Sequence, residues 1–209
     1  MLKRNLPAGF VVPAQPVERE APPSGADWVH KIKHDGFRML VRRDGDSVLL
    51  YSRKALDWTA RLPAIAAGAA LLKAKTFTID GEAVVIRPDG LTHFEVLRRR
   101  GAGAVAVLYA FDLRSWTAII CETCQSRPPR RHSLRSCANR SPCSSASTYR
   151  PTVPKVFAHA CKLGAEGIVS KRFGSPYRSG PHAAWVKVRN PASIAVQREL
   201  EQVRTQPGL

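Results

Sequence analysis

An α+β domain built mainly of antiparallel hairpins is the fold class this sequence predicts, and three observations predict it. Short runs of alternating residues recur along the chain. Asp-Gly and Pro-Asp-Gly turn signals separate them, rather than long crossovers, and only three stretches carry apolar residues at helical spacing. At 209 residues with 44% hydrophobic content, the chain is long enough to bury a full apolar core. No run approaches the ~18 consecutive apolar residues of a membrane span.

Residues 1–26 are rich in Pro and Ala and read as an extended lead-in, with regular structure starting at Trp28. Pro7, Pro13, Pro16, Pro22 and Pro23 interrupt this segment, so it lacks the basic start and apolar stretch of a secretory leader. The expectation is a cytoplasmic protein with reduced cysteines and no membrane partner. From Trp28 to Lys33 and from Phe37 to Arg42 residues alternate, with Phe37, Met39 and Val41 on one face and Arg38, Leu40 and Arg42 on the other. Asp44-Gly45 then turns the chain into a strand from Val48 to Arg53.

Leu62, Ile65, Ala66, Ala69 and Leu72 share one helical face, so Ala60 to Leu72 is expected to be a helix with Pro63 in its first turn, where a missing N–H costs little. Thr76 to Ile79, Ala83 to Ile86 and Ala104 to Phe111 read as strands, the first two separated by a turn at Asp80-Gly81. Lys155 to Leu163 reads as a helix closed by Gly164. Gly167 to Lys171 and Ala184 to Val188 read as strands, and Pro191 to Arg204 as a final amphipathic helix.

The net charge of +17 points to a polyanionic partner, because phosphate neutralisation and counterion release dominate non-specific binding to nucleic acid. Part of it comes from an anomalous stretch. Between Arg114 and Arg150 there are seven arginines, no lysine, eight serines, four of the five cysteines and one acid, Glu122, so this stretch supplies +6 and the rest of the chain +11.

The chemistry is concentrated in Lys33-His34-Asp35-Gly36-Phe37-Arg38. A lysine near its reference pKa of ~10.4 is a poor nucleophile, and burial or nearby cations must bring it toward neutrality. Lys31, His34 and Arg38 are the cations within reach of such an effect. The glycine is expected to admit a nucleotide close to the backbone, and Arg38 to bind its sugar or a phosphate through forked donors.

Five further elements follow: Ser52-Arg53, Asp80-Gly81-Glu82, the strand Tyr109-Ala110-Phe111-Asp112-Leu113, Glu166-Gly167-Ile168-Val169-Ser170-Lys171, and Trp185-Val186-Lys187-Val188-Arg189. Taken singly, most have a plain structural reading, such as a tight turn or a core phenylalanine. Taken together and in this order, the chain resembles the ATP-dependent DNA ligases, and more distantly the RNA ligases and mRNA-capping guanylyltransferases. The lead-in Pro22-Pro23-Ser24-Gly25 with Trp28-Val29-His30 is similar to bacterial ligases of the end-joining type. The resemblance covers residues 5–113 and 154–198.

The resemblance implies the nucleotidyl-transferase fold shared by DNA ligases and capping enzymes, with an adenylation domain over residues 27–190 and a helix and tail over 191–209. Lys33 would attack the α-phosphate of ATP to form a lysyl-AMP. AMP would pass to a 5′-phosphate at a nick, and a 3′-hydroxyl would displace it. Arg38, Arg53, Lys171 and Lys187 would contact nucleotide or phosphate, Phe111 would stack on adenine, and Glu82 and Glu166 would hold Mg²⁺ or another divalent ion. The implied partner is DNA with nicks or breaks, with a Ku-like end-bridging protein or a separate OB-fold protein completing the assembly. Two alternatives stand beside this reading: RNA ligation or capping, and a basic protein that binds DNA without catalysis.

Three features depart from the family pattern. Lys31 stands where these ligases usually carry glutamate, and the reversal either weakens adenine recognition or lowers the pKa of Lys33 further. Arg189 stands where a second lysine is usual. The stretch 114–153 is expected to be the product of a frameshift restored just before Pro154, because codon choices exist under which a shifted reading looks like the continuation ligases carry after Phe-Asp-Leu. A zinc site at Cys121, Cys124, Cys137 and Cys143 is the alternative for that stretch. The OB-fold that generally follows this domain is not found within these residues.

Overall fold

The computed structural model describes residues 6–117, 143–145 and 153–205. In chain order its elements are β1 (Ala14–Glu18), β2 (Trp28–Lys33), β3 (Phe37–Asp44), β4 (Ser47–Ser52), α1 (Pro63–Ala70), β5 (Thr76–Val84), α2 (Phe94–Arg98), β6 (Val107–Thr117), β7 (Cys143–Ser145), α3 (Val153–Lys162), β8 (Gly167–Arg172), β9 (Gly180–Arg189) and α4 (Ile194–Thr205). The strands form two sheets and the chain divides into two units. This is an α+β protein, as the hairpin pattern predicts.

Of the described residues, the first unit takes 6–11, 36–85, 94–117 and 143–145. Its sheet has the order β4-β3-β5-β6-β7, antiparallel except for β6 with β7. Met39, Val41, Leu50, Phe77, Ile79 and Leu108 are fully buried, and α1 adds Ile65 and Ala69 to the same core. Removing this apolar area from water at about 25 cal/mol per Å² is the main force holding the sheet to its helix. Leu40, on the polar face of β3, is buried as well, so β3 is covered on both sides in its middle. Pro63 sits at the start of α1, where no intrahelical N–H is missed. At the other end Arg43 donates to the carbonyls of Ala70 and Leu72 at 2.8 and 2.6 Å, satisfying groups the helix leaves open.

The second unit takes residues 12–35, 86–93 and 147–209, and its sheet has the order β1-β9-β8-β2. Here β1 runs parallel to β9, and the other pairs are antiparallel. One face carries Ile168, Val186 and Val188, which pack with Val156 and Ala160 of α3. His30 lies on this face too, buried, with its Nδ1 2.8 Å from the Ser170 hydroxyl. Burial holds its imidazole below the usual histidine range, and His30 therefore acts as a neutral packing group.

Three expectations about elements need correction. Regular structure starts at β1, not at Trp28. Pro16 hides that strand from a sequence reading, yet β1 is an edge strand, where a missing N–H leaves no ladder bond unmade. Asp80-Gly81 is not a turn but the middle of the unbroken strand β5. The helix expected over Ala60 to Leu72 is shorter, with a 3₁₀ turn at Thr59–Arg61 ahead of α1. Of the atypical stretch, only the end of β6 and the three residues of β7 are described. Cys121, Cys124 and Cys137 of the zinc alternative, and most of the expected frameshifted segment, lie outside the described residues.

Candidate functional site

Strand alternation gathers the basic residues of the second unit. Pairing sets Lys33 opposite Gly167 and Gly167 opposite Arg189. Lys31 lies opposite Val169, which lies opposite Lys187, and Lys171 pairs with Trp185. Side chains at alternate positions share a face, so Lys31, Lys33, Lys171, Lys187 and Arg189 stand on one surface of a single sheet, opposite the face packed by α3. Between Lys33 and Arg189 the surface is bare. Gly167 has a φ of +151°, and a Cβ there would collide with the Val188 carbonyl, so only glycine fits.

Carboxylates hold the cations on this face. Lys33 Nζ lies 2.5 Å from Glu166, whose side chain is only 4% exposed. Burial pushes the Glu166 carboxyl above its ordinary value, against the opposing pull of the Lys33 charge. Lys187 Nζ lies 3.0 Å from Glu18 Oε2, and Arg189 Nε 3.1 Å from Glu18 Oε1. Arg189 also pairs with Glu199 of α4. The neighbouring residue of that helix, Arg198, donates from Nη2 to both carboxylate oxygens of Asp35, at 2.9 and 2.8 Å. Lys171 lies 4.6 Å from the centroid of the Trp185 ring, a cation–π contact on the same face.

The first unit holds a different construction. Arg38 donates through Nε and Nη2 to both oxygens of Asp80, at 2.9 and 2.6 Å, and Asp80 is 0% exposed. The Arg38 guanidinium also lies 5.2 Å from the centroid of the Phe111 ring. Phe111 owes its place to a β-bulge: Asp80 pairs with Asp112 and Gly81 with Ala110, so β6 carries one extra residue there, and that residue is Phe111. Glu82 is the cross-strand partner of both Arg38 and Tyr109.

Several expectations about the site change. Gly36 is required by close approach of the protein to itself, because a Cβ would strike the Ala83 carbonyl of β5. His34 is not a cation beside Lys33. Burial first, and the Lys33 charge second, bring its pKa down to about 4, so it is neutral at neutral pH. The nearest charge to the Lys33 amine is instead the carboxylate of Glu166. The forked donors of Arg38 are occupied by Asp80. Arg53 follows β4 rather than ending it, and is exposed. The reading of single motifs gave Asp80 no role of its own and missed Glu18 altogether. Strand register was the signal for the first, since Asp80 lies two residues from Glu82 on the face that meets Arg38. Nothing in the sequence pointed to the second.

The structure brings together Lys33 with Glu166, and Lys187 with Arg189, in the second unit. Arg38 and Phe111 meet, with Glu82 in register, in the first. Among the described residues, no three His, Cys, Asp or Glu side chains gather closely enough to hold a metal ion. A single buried carboxylate at Glu166 fits the chemistry of Mg²⁺, which takes one or two carboxylates and completes its shell with water and substrate phosphates.

Two sheets carrying an ordered set of basic and acidic motifs define a protein of the nucleotidyl-transferase fold. Residues 14–189 match the model of the ATP dependent DNA ligase domain. The chain belongs to that family. It is 31% identical over 175 residues to the multifunctional non-homologous end joining protein LigD of Pseudomonas aeruginosa, a match covering 81% of this chain and 21% of the relative. It is 32% identical over 164 residues to a probable DNA ligase of a Nocardioides species, covering 75% of this chain and 32% of that protein. The chain thus spans about a fifth to a third of these relatives. Among solved structures, it superposes on a mycobacterial DNA ligase D complexed with ATP and MES with a TM-score of 0.69 at 28% identity, covering 85% of this chain and 60% of that one. The ATP-dependent ligase of bacteriophage T7, with a TM-score of 0.53 at 13% identity, shares the fold.

Proposed function

We propose that this chain is the adenylation region of a bacterial end-joining DNA ligase and that Lys33 is its nucleophile. The observation that carries the reading is the shared face of Lys33, Lys171, Lys187 and Arg189, with Glu166 against the Lys33 amine. In the first step Lys33, its ammonium having given a proton to solvent, forms a bond from the Nζ lone pair to the α-phosphorus of ATP and releases a second proton to solvent. The bond from that phosphorus to the oxygen bridging to the β-phosphate breaks, and pyrophosphate leaves with its electron pair. A lysyl-AMP phosphoramidate remains. An oxygen of the DNA 5′-phosphate then bonds to the α-phosphorus as its bond to Lys33 Nζ breaks, and a 3′-hydroxyl, losing its proton to solvent, bonds to the 5′-phosphorus while AMP leaves, which seals the strand.

Such steps depend on positioning and charge neutralisation more than on covalent chemistry from the protein. Glu166 aims the Lys33 amine through their ion pair, and Lys171, Lys187 and Arg189 offset phosphate charge. Phe111 offers its ring to adenine, and Arg38 backs that ring rather than reaching for the sugar. Arg53, exposed after β4, is assigned to the DNA. Glu82 and Glu166 are the carboxylates that would hold Mg²⁺, which when bound neutralises triphosphate charge. We assign residues 27–190 to the adenylation region, with β1 added by its pairing to β9, and 191–209 to a helix and tail. Nicked or broken DNA is the proposed substrate, a Ku-like bridging protein or a separate OB-fold protein the proposed partner, and the cytoplasm the proposed location.

Incubation with α-labelled ATP and Mg²⁺ tests this. Label is expected on the wild type and absent from Lys33→Ala. A folded wild type that takes no label points instead to DNA binding without catalysis.

A further inference from the structure

We propose that Glu18 is a specificity-determining residue that keeps the Lys187–Arg189 pair occupied until a polyphosphate takes its place. Resting on the assignment of these two cations to phosphate binding, the proposal concerns how that binding is filtered. One carboxylate spans both cations: Oε2 lies 3.0 Å from Lys187 Nζ and Oε1 lies 3.1 Å from Arg189 Nε. The arrangement resembles what two oxygens of one phosphate would make on the same donors.

Three observations point to displacement rather than permanent structure. Glu18 is 53% exposed, so water reaches its carboxylate and can replace it. Its contact with Arg189 is electrostatic only, because Arg189 Nε is buried and without a hydrogen-bond partner, a donor left for a better-placed acceptor. Glu18 also lies on an edge strand whose pairing with β9 shifts register between Pro16 and Val17, immediately before it. Lys187 and, to a lesser degree, Arg189 hold the Glu18 carboxyl below its usual range, so it is ionised at neutral pH and competes as an anion.

The consequence is selection by charge. A ligand must bring more negative charge to Lys187 and Arg189 than one carboxylate does, which favours a polyphosphate over a singly charged group. Across Gly167 from Arg189 stands Lys33, with no side chain between them, so the subsite adjoins the nucleophile.

Calorimetric titration of the full chain with inorganic tripolyphosphate tests the proposal directly. Glu18→Gln is expected to bind it roughly threefold to tenfold more tightly than wild type, the range expected from removing two exposed ion pairs. Glu18→Asp, which keeps the charge but shortens the reach, is expected to fall between them, and provides the measurement should the glutamine variant not fold. Lys187→Ala in the Glu18→Gln background is expected to cancel the gain. Equal or weaker binding by both Glu18 variants, or no binding by any form, overturns the proposal. The two readings fail separately: tighter tripolyphosphate binding without ATP labelling of Lys33 leaves the Glu18 filter standing and removes only the ligase assignment.

Discussion

The first unit holds its arginine in a buried, bidentate pair, whereas the second holds most of its cations with carboxylates that water reaches. Arg38 meets an Asp80 that is fully buried, in the middle of a strand covered on both sides. Glu18 and Glu199, which hold Lys187 and Arg189, are about half exposed. A buried pair cannot open without stranding a charge in low dielectric, while an exposed pair exchanges partners at little cost. The difference is one of exchangeability: the first unit fixes Arg38 beside the Phe111 ring, and the second leaves Lys187 and Arg189 on carboxylates that water reaches.

Asp80→Ala should produce the largest effect on stability. It leaves the Arg38 charge half-buried without its partner, and a loss of roughly 3–5 kcal/mol is expected in denaturant unfolding. A loss below about 1 kcal/mol would show that the pair behaves like a surface contact and would erase the contrast between the units.

Next comes Gly167→Ala, which forces a side chain into a left-handed conformation and against the Val188 carbonyl. Thermal unfolding should register roughly 1–3 kcal/mol, and labelling of Lys33 should fall along with it, since β8 cannot shift without moving Glu166. Stability falling with full labelling retained would separate the geometry of β8 from the chemistry.

Glu18→Ala should cost less than about 1 kcal/mol, as exposed ion pairs do. A cost as large as that of Asp80→Ala would mean that Glu18 is structural, and the contrast drawn above would have to be redrawn.

The smallest effect is a dependence on pH. The Glu18 carboxyl is held below its ordinary value of 4.5, so its contribution to stability is complete above 4.5 and is lost as the pH falls through the lower, folded-state value. The gap in melting temperature between wild type and Glu18→Gln should therefore be widest near neutral pH and close in acid. A gap that stays constant with pH would assign the effect of the substitution to something other than charge.

Much of this was legible in the sequence, unevenly. Lys33, Glu166 and Lys187 stood out because each lies in a short charged motif, and alternation within Phe37 to Arg42 announced a strand. Asp80 was not readable as the partner of Arg38, because a pair separated by forty-two positions depends on the register of β3 against β5. The strand through Asp80-Gly81 was obscured for a related reason: those residue types favour turns, and only the charge of Arg38 and the close approach of Leu108 to Gly81 make a strand interior suit them. Strand β1 was hidden by Pro16, which an edge position tolerates. His34 read as a cation because its burial has no signature in the local sequence.

By itself, then, the sequence displayed the charged motifs and the turn signals of a hairpin fold, because both are patterns that extend over only a few residues. Only the tertiary structure decided which charge faces which. Whether a carboxylate is locked, as Asp80 is, or replaceable, as Glu18 is, depends on how much water reaches it, and access to water is a property of the packed fold.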